Sequence, residues 1–315
     1  MWLAPGPHVK WFVDPTGHTT DYALLLTPPV LAAFALALVA VGVAYLIEHR
    51  VDEPAAVRVL ERSAGVAPLA LGLHVGIALT AAALLGLLFV PSLRVLPDTP
   101  GRALLAMELA CGFALILGLG TRPAAVALAL LGVLAMVPFT FESVLEQVHL
   151  LGAAVFLFVA GRGAISLDRL LGQRRSIDHP EAPQAALFVL RVAMGFGIAF
   201  GALTEKLLAP DLAAALLAAR PELNILRALG LTDGQFAYLA GTTELVIGAV
   251  IIGGWLTRPV MAIGAVLFTV TLPLFGWLEL LGHLPYYGAM LTLFIAPNAD
   301  SWQVRRRLRE GRLAL

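Results

Sequence analysis

The chain has 315 residues, 59% of them hydrophobic and only 13% charged, with a mean hydropathy of +0.88 and no net charge. Soluble domains carry about 25% charged residues, so this composition points to a polytopic membrane protein, and the balanced charge leaves no basic footprint for nucleic acid. A single cysteine, Cys111, excludes an internal disulfide framework and a Cys-based zinc or iron–sulfur site.

The first 22 residues are polar and interrupted by Pro5, Pro7, Pro15 and Gly17, which does not resemble a cleaved signal, so a retained first helix is expected from about Ala23 to Ile47. The run His8-Val-Lys-Trp-Phe12 ahead of it reads either as an interfacial anchor or as a partner contact. Apolar runs follow at 64–90, 103–120, 123–141, 146–161, 185–204, 236–256, 259–278 and 282–297, punctuated by Pro91, Pro97-Asp-Thr-Pro100, Thr121-Arg-Pro123, Pro180, Pro183 and Thr257-Arg-Pro259. The expectation is an all-α fold of nine transmembrane helices. With the N-terminus outside, fifteen of the 21 Lys and Arg fall on the inner side, so the positive-inside rule places the N-terminus out and the C-terminus in, across an inner or plasma membrane. Arg305-Arg-Arg307 and Arg309 then form a cytoplasmic tail that anchors the topology near anionic lipid.

The strongest local signal is a repeat. Glu108-Leu-Ala-Cys-Gly-Phe-Ala-Leu-Ile-Leu-Gly-Leu-Gly-Thr-Arg-Pro123 aligns without gaps on Glu244-Leu-Val-Ile-Gly-Ala-Val-Ile-Ile-Gly-Gly-Trp-Leu-Thr-Arg-Pro259, identical at eight of sixteen positions. Apolar bias explains matched Leu and Ile, but not Glu, two Gly and Thr-Arg-Pro in one register. Four crossings return the chain to its starting side, so two parallel four-helix units are expected, related by an axis along the membrane normal. Residues 1–59 then hold the tail and one extra helix, 60–172 the first unit, 173–187 a cytoplasmic linker, and 188–315 the second unit with its basic tail.

These motifs, with Arg191-x3-Gly195, Gly-x3-Glu-Lys206, the His-x-x-Gly helix and Arg162-Gly-Ala-Ile-Ser-Leu-Asp168, resemble the DoxX/DoxD-like membrane family; Asn298-Ala-Asp-Ser-Trp302 is a degraded copy of the last. The resemblance covers both units and leaves the first helix and tail unexplained. It implies a four-helix membrane bundle and, in some members, the quinone-linked subunit of a thiosulfate:quinone oxidoreductase. A quinone and an extracytoplasmic redox partner follow from it as expectations.

Scarce acids and histidines mark the candidate site, because an ionisable group in a bilayer is costly. Glu108 and Glu244 are expected roughly 7–12 Å below the outer interface. Glu146 with His149 (i,i+3) and Glu279 with His283 (i,i+4) each share a helical face if their helices extend that far. Glu108, His149, Glu244 and His283 are the candidate catalytic proton carriers, and Glu146, Lys206 and Glu279 the candidate cofactor-binding residues. Glu108 and Glu244 read equally as neutral core acids, and Lys206 as a partner of Glu244 or a snorkelling cation. His74 lacks a second intramembrane His at its depth and reads as a core histidine; Glu146-x2-His149 has a di-iron spacing but occurs once, so no metal site is assigned. The Arg of each Thr-Arg-Pro is expected to face the headgroups, and Pro138 and Pro273 to kink their helices. Alternatives to a quinone-linked subunit are a non-catalytic scaffold or assembly factor and, with least support, a small-molecule transporter.

Overall fold

The computed structural model describes residues 9–13, 17–51, 59–172 and 182–296. His8, most of the expected linker and the basic tail lie outside the described residues. Within them the chain is all-helical, with an isolated bridge between Leu87 and Arg94. The long helices are α1 (Pro28–Arg50), α2 (Ala67–Leu84), α3 (Thr99–Leu117), α4 (Thr121–Ala135), α5 (Val148–Ala160), α6 (Ala182–Ala202), α7 (Asp233–Gly253), α8 (Thr257–Phe275) and α9 (Trp277–Ile295). Among the described residues six helices are long and apolar enough to cross a membrane: α1, α2 with the turn before it, α3, α6 with the turn after it, α7 and α8. The chain is a multi-pass membrane protein by that criterion. At 15 and 13 residues α4 and α5 are shorter than a full span, and α9 carries Glu279, His283, Pro285 and two tyrosines within its 19 residues.

Helix boundaries differ from expectation where caps or glycines intervene. Asp98 accepts from the Gly101 N–H and Thr232 forms a capping box with Gln235, so α3 and α7 begin earlier than the apolar runs do. In the other direction, α2 stops at Leu84 although the apolar run reaches residue 90. Gly86 takes φ +73° and Phe89 φ +68°, and Leu87–Val90 fold back into the core as an apolar loop. A short apolar run does not distinguish a buried loop from a helix end. Pro138 lies beyond the end of α4 and bends no helix, whereas Pro273 is inside α8.

Two sets of helices pack in the same order. In the first, α2 meets α3, α3 meets α4, α4 meets α5, and α5 closes on α2; in the second, α6, α7, α8 and α9 do the same. Between the sets α5 packs on α6 and α9 on α2, while α1 lies outside against α7. One apolar core runs through both sets, from Leu71, Leu115 and Leu157 to Leu190, Met194, Ile251 and Leu293. Lipid gives helices no hydrophobic reason to associate, so close packing at small residues has to do it. A methyl group on Gly76 would lie 2.8 Å from the Gly112 carbonyl oxygen, and one on Gly195 2.7 Å from that of Gly248; α2/α3 and α6/α7 therefore cross backbone to backbone. Gly152 similarly seats α5 against Ala193 of α6, and Gly288 seats α9 against His74 of α2.

The Thr-Arg-Pro turns are also built alike. Gly118 and Gly120 take φ +62° and +61°, and Gly254 and Leu256 take +78° and +54°, so a leucine adopts the left-handed conformation that a glycine supplies in the first turn. Asp168 accepts from the N–H groups of Gly120 (2.6 Å) and Thr121 (2.9 Å). At the second turn the carboxylate comes from elsewhere: Glu48, 1% exposed at the end of α1, accepts from Leu256 N–H at 2.6 Å. The extra helix thus carries an acid to the second turn. Arg122 Nε donates to the Phe158 carbonyl (3.0 Å) and Arg258 Nε to that of Phe294 (2.8 Å). Arg258 is buried, so the headgroup-facing role expected for it is corrected: its guanidinium donates to the Phe294 carbonyl in the last turn of a neighbouring helix.

Candidate functional site

The polar residues gather at the end of the bundle opposite the Thr-Arg-Pro turns. The segment Leu203–Leu207 after α6 is a π-helical turn, which widens the spiral and brings Thr204 and Glu205 into the interior beside the inward-facing Lys206. Gly241 of α7 leaves room for the Lys206 stem and Leu207. Lys206 Nζ donates to Glu244 Oε2 at 2.7 Å, which decides between the two readings of Lys206 in favour of pairing. Glu244 keeps 37% of its side chain exposed.

Beside this pair lies a second cation, from the aromatic–basic run that the sequence offered as an anchor or partner contact and not as part of a site. Lys10, from the short helix Val9–Phe12, reaches between Glu142 (2.8 Å) and Glu146, while Glu205 accepts from the Val9 N–H at 2.9 Å. Thr204 donates to Glu146 (2.8 Å), and Thr20 and Tyr22 donate to Glu142 at 2.9 and 2.7 Å. Burial opposes charge on Lys10, but Glu146, Glu205 and Glu142 outweigh it and hold the ammonium pKa above its ordinary value. Burial likewise works against the Glu142 carboxylate, yet hydrogen bonds from Lys10, Tyr22 and Thr20 keep its pKa below the ordinary value. Its hydrogen bond with Glu142 pushes the Tyr22 phenol up to about 12.

Below this cluster a run of rings crosses from one helix set to the other. His149 of α5 stacks on Tyr286 of α9 with centroids 3.9 Å apart. Tyr286 meets Phe268 of α8 edge to face at 5.7 Å, and Phe268 stacks on His283 at 4.2 Å. Gly197 of α6 makes room for the Tyr286 hydroxyl. His283 Nδ1 stands 3.5 Å from Glu279, which also accepts from Thr271.

The structure therefore brings Glu146, Lys206 and Glu244 into one cluster, puts His149 next to it through Tyr286, and keeps the expected Glu279–His283 pair on a neighbouring face. Glu146 and His149 do not share a continuous helix: Glu146 caps the short helix Phe141–Leu145 and Gln147 starts α5, so the chain turns between them. Glu108 makes its contact elsewhere. It is fully buried and Oε1 accepts from the Phe89 N–H at 2.7 Å, pinning the left-handed residue of the apolar loop. It lies nine residues into α3 and Glu244 eleven into α7, about 14–17 Å along their helices from the first residue. The repeat-related acids are thus not chemically equivalent: one holds a backbone amide and the other an ammonium. The sequence also gives no separate weight to Lys10, Thr20, Thr204 or Tyr286. Glu205 stands in the Gly-x3-Glu-Lys motif, which is the signal that could have singled it out.

Among the described residues no group of three or more His, Cys, Asp or Glu has a metal-holding arrangement. No family model, curated protein or solved structure matches this chain.

Proposed function

We propose that the chain is the membrane subunit of a quinone-linked oxidoreductase, with nine transmembrane helices arranged as one extra helix and two parallel DoxX-like units. The topology reading is supported by the shared packing order of the two sets and by residues 136 apart that make the same contacts: Gly112 and Gly248, Arg122 and Arg258, Phe158 and Phe294. With the N-terminus outside, the acidic cluster faces the extracytoplasmic side and a redox partner reaches it there.

The observation that carries the functional reading is the cluster of Glu142, Glu146, Glu205 and Glu244 around Lys10 and Lys206, in which Glu146 and Glu205 are buried and Glu142 and Glu244 half-buried, seated on the His149–Tyr286 stack. Reducing a quinone to a quinol takes two electrons and two protons. The chain carries no cofactor motif for the electrons, which the partner supplies from its donor. Acids that share one cluster with two ammonium groups are coupled, so a proton taken up or released at one changes the energies of its neighbours. In this reading Glu146 and Glu244 hold protons at the outer end, and Tyr286 and His149 link the cluster to the membrane interior.

Quinone reduction by the complex extracted in mild detergent with its partner tests this. Glu146→Gln combined with Glu244→Gln is expected to lower turnover at least tenfold, in keeping with loss of general acid–base groups. Wild-type turnover in that variant would refute the role. A second reading, a non-catalytic scaffold, is favoured by the closing of Val9–Val13 over the cluster, which turns the acids into a clasp for the N-terminal segment. A stable partner that co-purifies without any quinone consumption supports that reading instead.

A further inference from the structure

An open groove of about 450 Å³ lies between α8 and α9, with His74 of α2 at its wall. Its walls are apolar, among them Met261, Met290 and Phe294, but three polar side chains line it: His74, Thr269 and Tyr287. The size matches small-molecule sites, which are commonly apolar with a few placed polar groups.

The polar groups are specific to this groove. At the positions 136 residues earlier, in α4 and α5, Thr269 and Tyr287 correspond to Val133 and Leu151. Gly152 seats on Ala193 as Gly288 seats on His74, so the counterpart of His74 is an alanine. The same scaffold is therefore built elsewhere in the chain with no polar side chain at any of the three places. Thr269 and Tyr287 bond to each other across α8 and α9, so helix packing accounts for that pair, and the imidazole of His74 is the group whose second nitrogen packing leaves unused.

The chemistry of the ligand follows from His74. Its Nδ1 lies 2.7 Å from the Ala70 carbonyl oxygen, which only accepts, so Nδ1 carries the proton. In the neutral ring Nε2 is then a lone-pair acceptor, and it has no hydrogen-bond partner among the described residues. Thr269 Oγ1 and Tyr287 Oη are 3.1 Å apart, and Thr269 donates to Ala265, so the Tyr287 hydroxyl group bonds within the groove. No cationic side chain lines the groove, which disfavours an anionic headgroup.

We propose that this groove binds one neutral, lipid-soluble molecule through a hydroxyl group that donates to His74 Nε2. The inference does not use the redox reading, since its premise is the acceptor on His74, although Tyr287 of the groove meets Phe268 of the ring run edge to face at 6.3 Å. The hydroxyl is carried either by an aliphatic chain or by an aromatic ring, and the assay separates the two.

The test is photolabelling of the full chain in vesicles with a diazirine-bearing long-chain alcohol, its methyl ether, and a matching long-chain phenol. Labelled peptides are mapped by mass spectrometry. In the wild type the alcohol or the phenol is expected to label 261–294 about three- to tenfold more than the ether, the value of one hydrogen bond. Preference for the phenol assigns a ring-headed ligand, and preference for the alcohol an aliphatic one. His74→Ala, which installs the residue of the counterpart position, is expected to bring the ratio to one. If that variant does not fold, His74→Phe, which keeps the ring and removes Nε2, is expected to bring the ratio to one as well. Equal labelling by the ether in the wild type, or an unchanged ratio in the folded variants, overturns the proposal.

Discussion

Replacing Lys10 by methionine removes the cation from between Glu142 and Glu146 while keeping the length of the side chain. Lys10 and Glu146 are 11% and 6% exposed, so their pair is largely desolvated, whereas Glu142 at 23% keeps some water as well as Tyr22 and Thr20. Removing one partner of a buried pair costs about 3–5 kcal/mol; with Glu142 still solvated, about 2–3 kcal/mol is expected here. By the usual scaling for larger domains that lowers Tm by roughly 5–10 °C. The pH window follows from the two shifts. Lys10 has its folded pKa raised, so its stabilisation is complete below the ordinary value of 10.5 and is lost as pH rises through the folded pKa. Glu142 has its folded pKa lowered, so its contribution is present above the ordinary 4.5 and is lost as pH falls through the folded value. The gap between wild type and Lys10→Met is therefore widest near neutrality. It closes on acidification, because protonating the two acids removes the charges that lost their cation. Melting in detergent from pH 5 to 9, with limited proteolysis of Val9–Val13, measures both consequences, and adding Glu146→Gln should recover at least half of the loss. Equal melting and equal cleavage of wild type and Lys10→Met at pH 7 would refute the reasoning.

Gly112→Val places side-chain atoms where a methyl group already meets Thr80 Oγ1 at 2.4 Å and the Gly76 carbonyl at 2.9 Å, so a loss of about 1–3 kcal/mol is expected in thermal unfolding. Glu48→Ala leaves the Leu256 N–H without its carboxylate and should cost about 1–2 kcal/mol, with Glu48→Gln costing less. Leu256→Gly relieves a left-handed leucine and should leave stability unchanged or raise it by up to about 1 kcal/mol, whereas Phe89→Gly, at a similar φ, empties a buried ring site and should cost about 3–5 kcal/mol. The Tyr22 phenol is expected to titrate near 12 by its absorbance difference against Tyr22→Phe, and Glu142→Gln should return it toward 10.

Much of the helical layout was legible because apolar runs, prolines and glycines are local signals. The break before α8 at Thr257-Arg-Pro259 and the Glu279–His283 pair needed only spacing along one helix. The acid cluster was only partly legible. Glu146, Lys206 and Glu244 stand out as ionisable residues in apolar stretches, but Lys10 does not, since its partners are more than 130 residues away in the chain. Glu146 and His149 fall on either side of a turn at Gln147, a helix boundary that apolar content does not report.

What the sequence determined by itself is the membrane class, the acids and histidines available for chemistry, and the internal likeness of the Glu-to-Pro segments, because composition and short-range spacing are properties of the chain. Only the tertiary structure decided which groups meet. Glu108 and Glu244 occupy matching positions, yet one meets the Phe89 amide and the other the Lys206 ammonium. The carboxylate beneath each Thr-Arg-Pro turn comes from Asp168 in one case and from Glu48 in the other. A backbone N–H turned into the protein must be satisfied by whichever acceptor the packed helices deliver, and that delivery is set by close approach between elements remote in sequence.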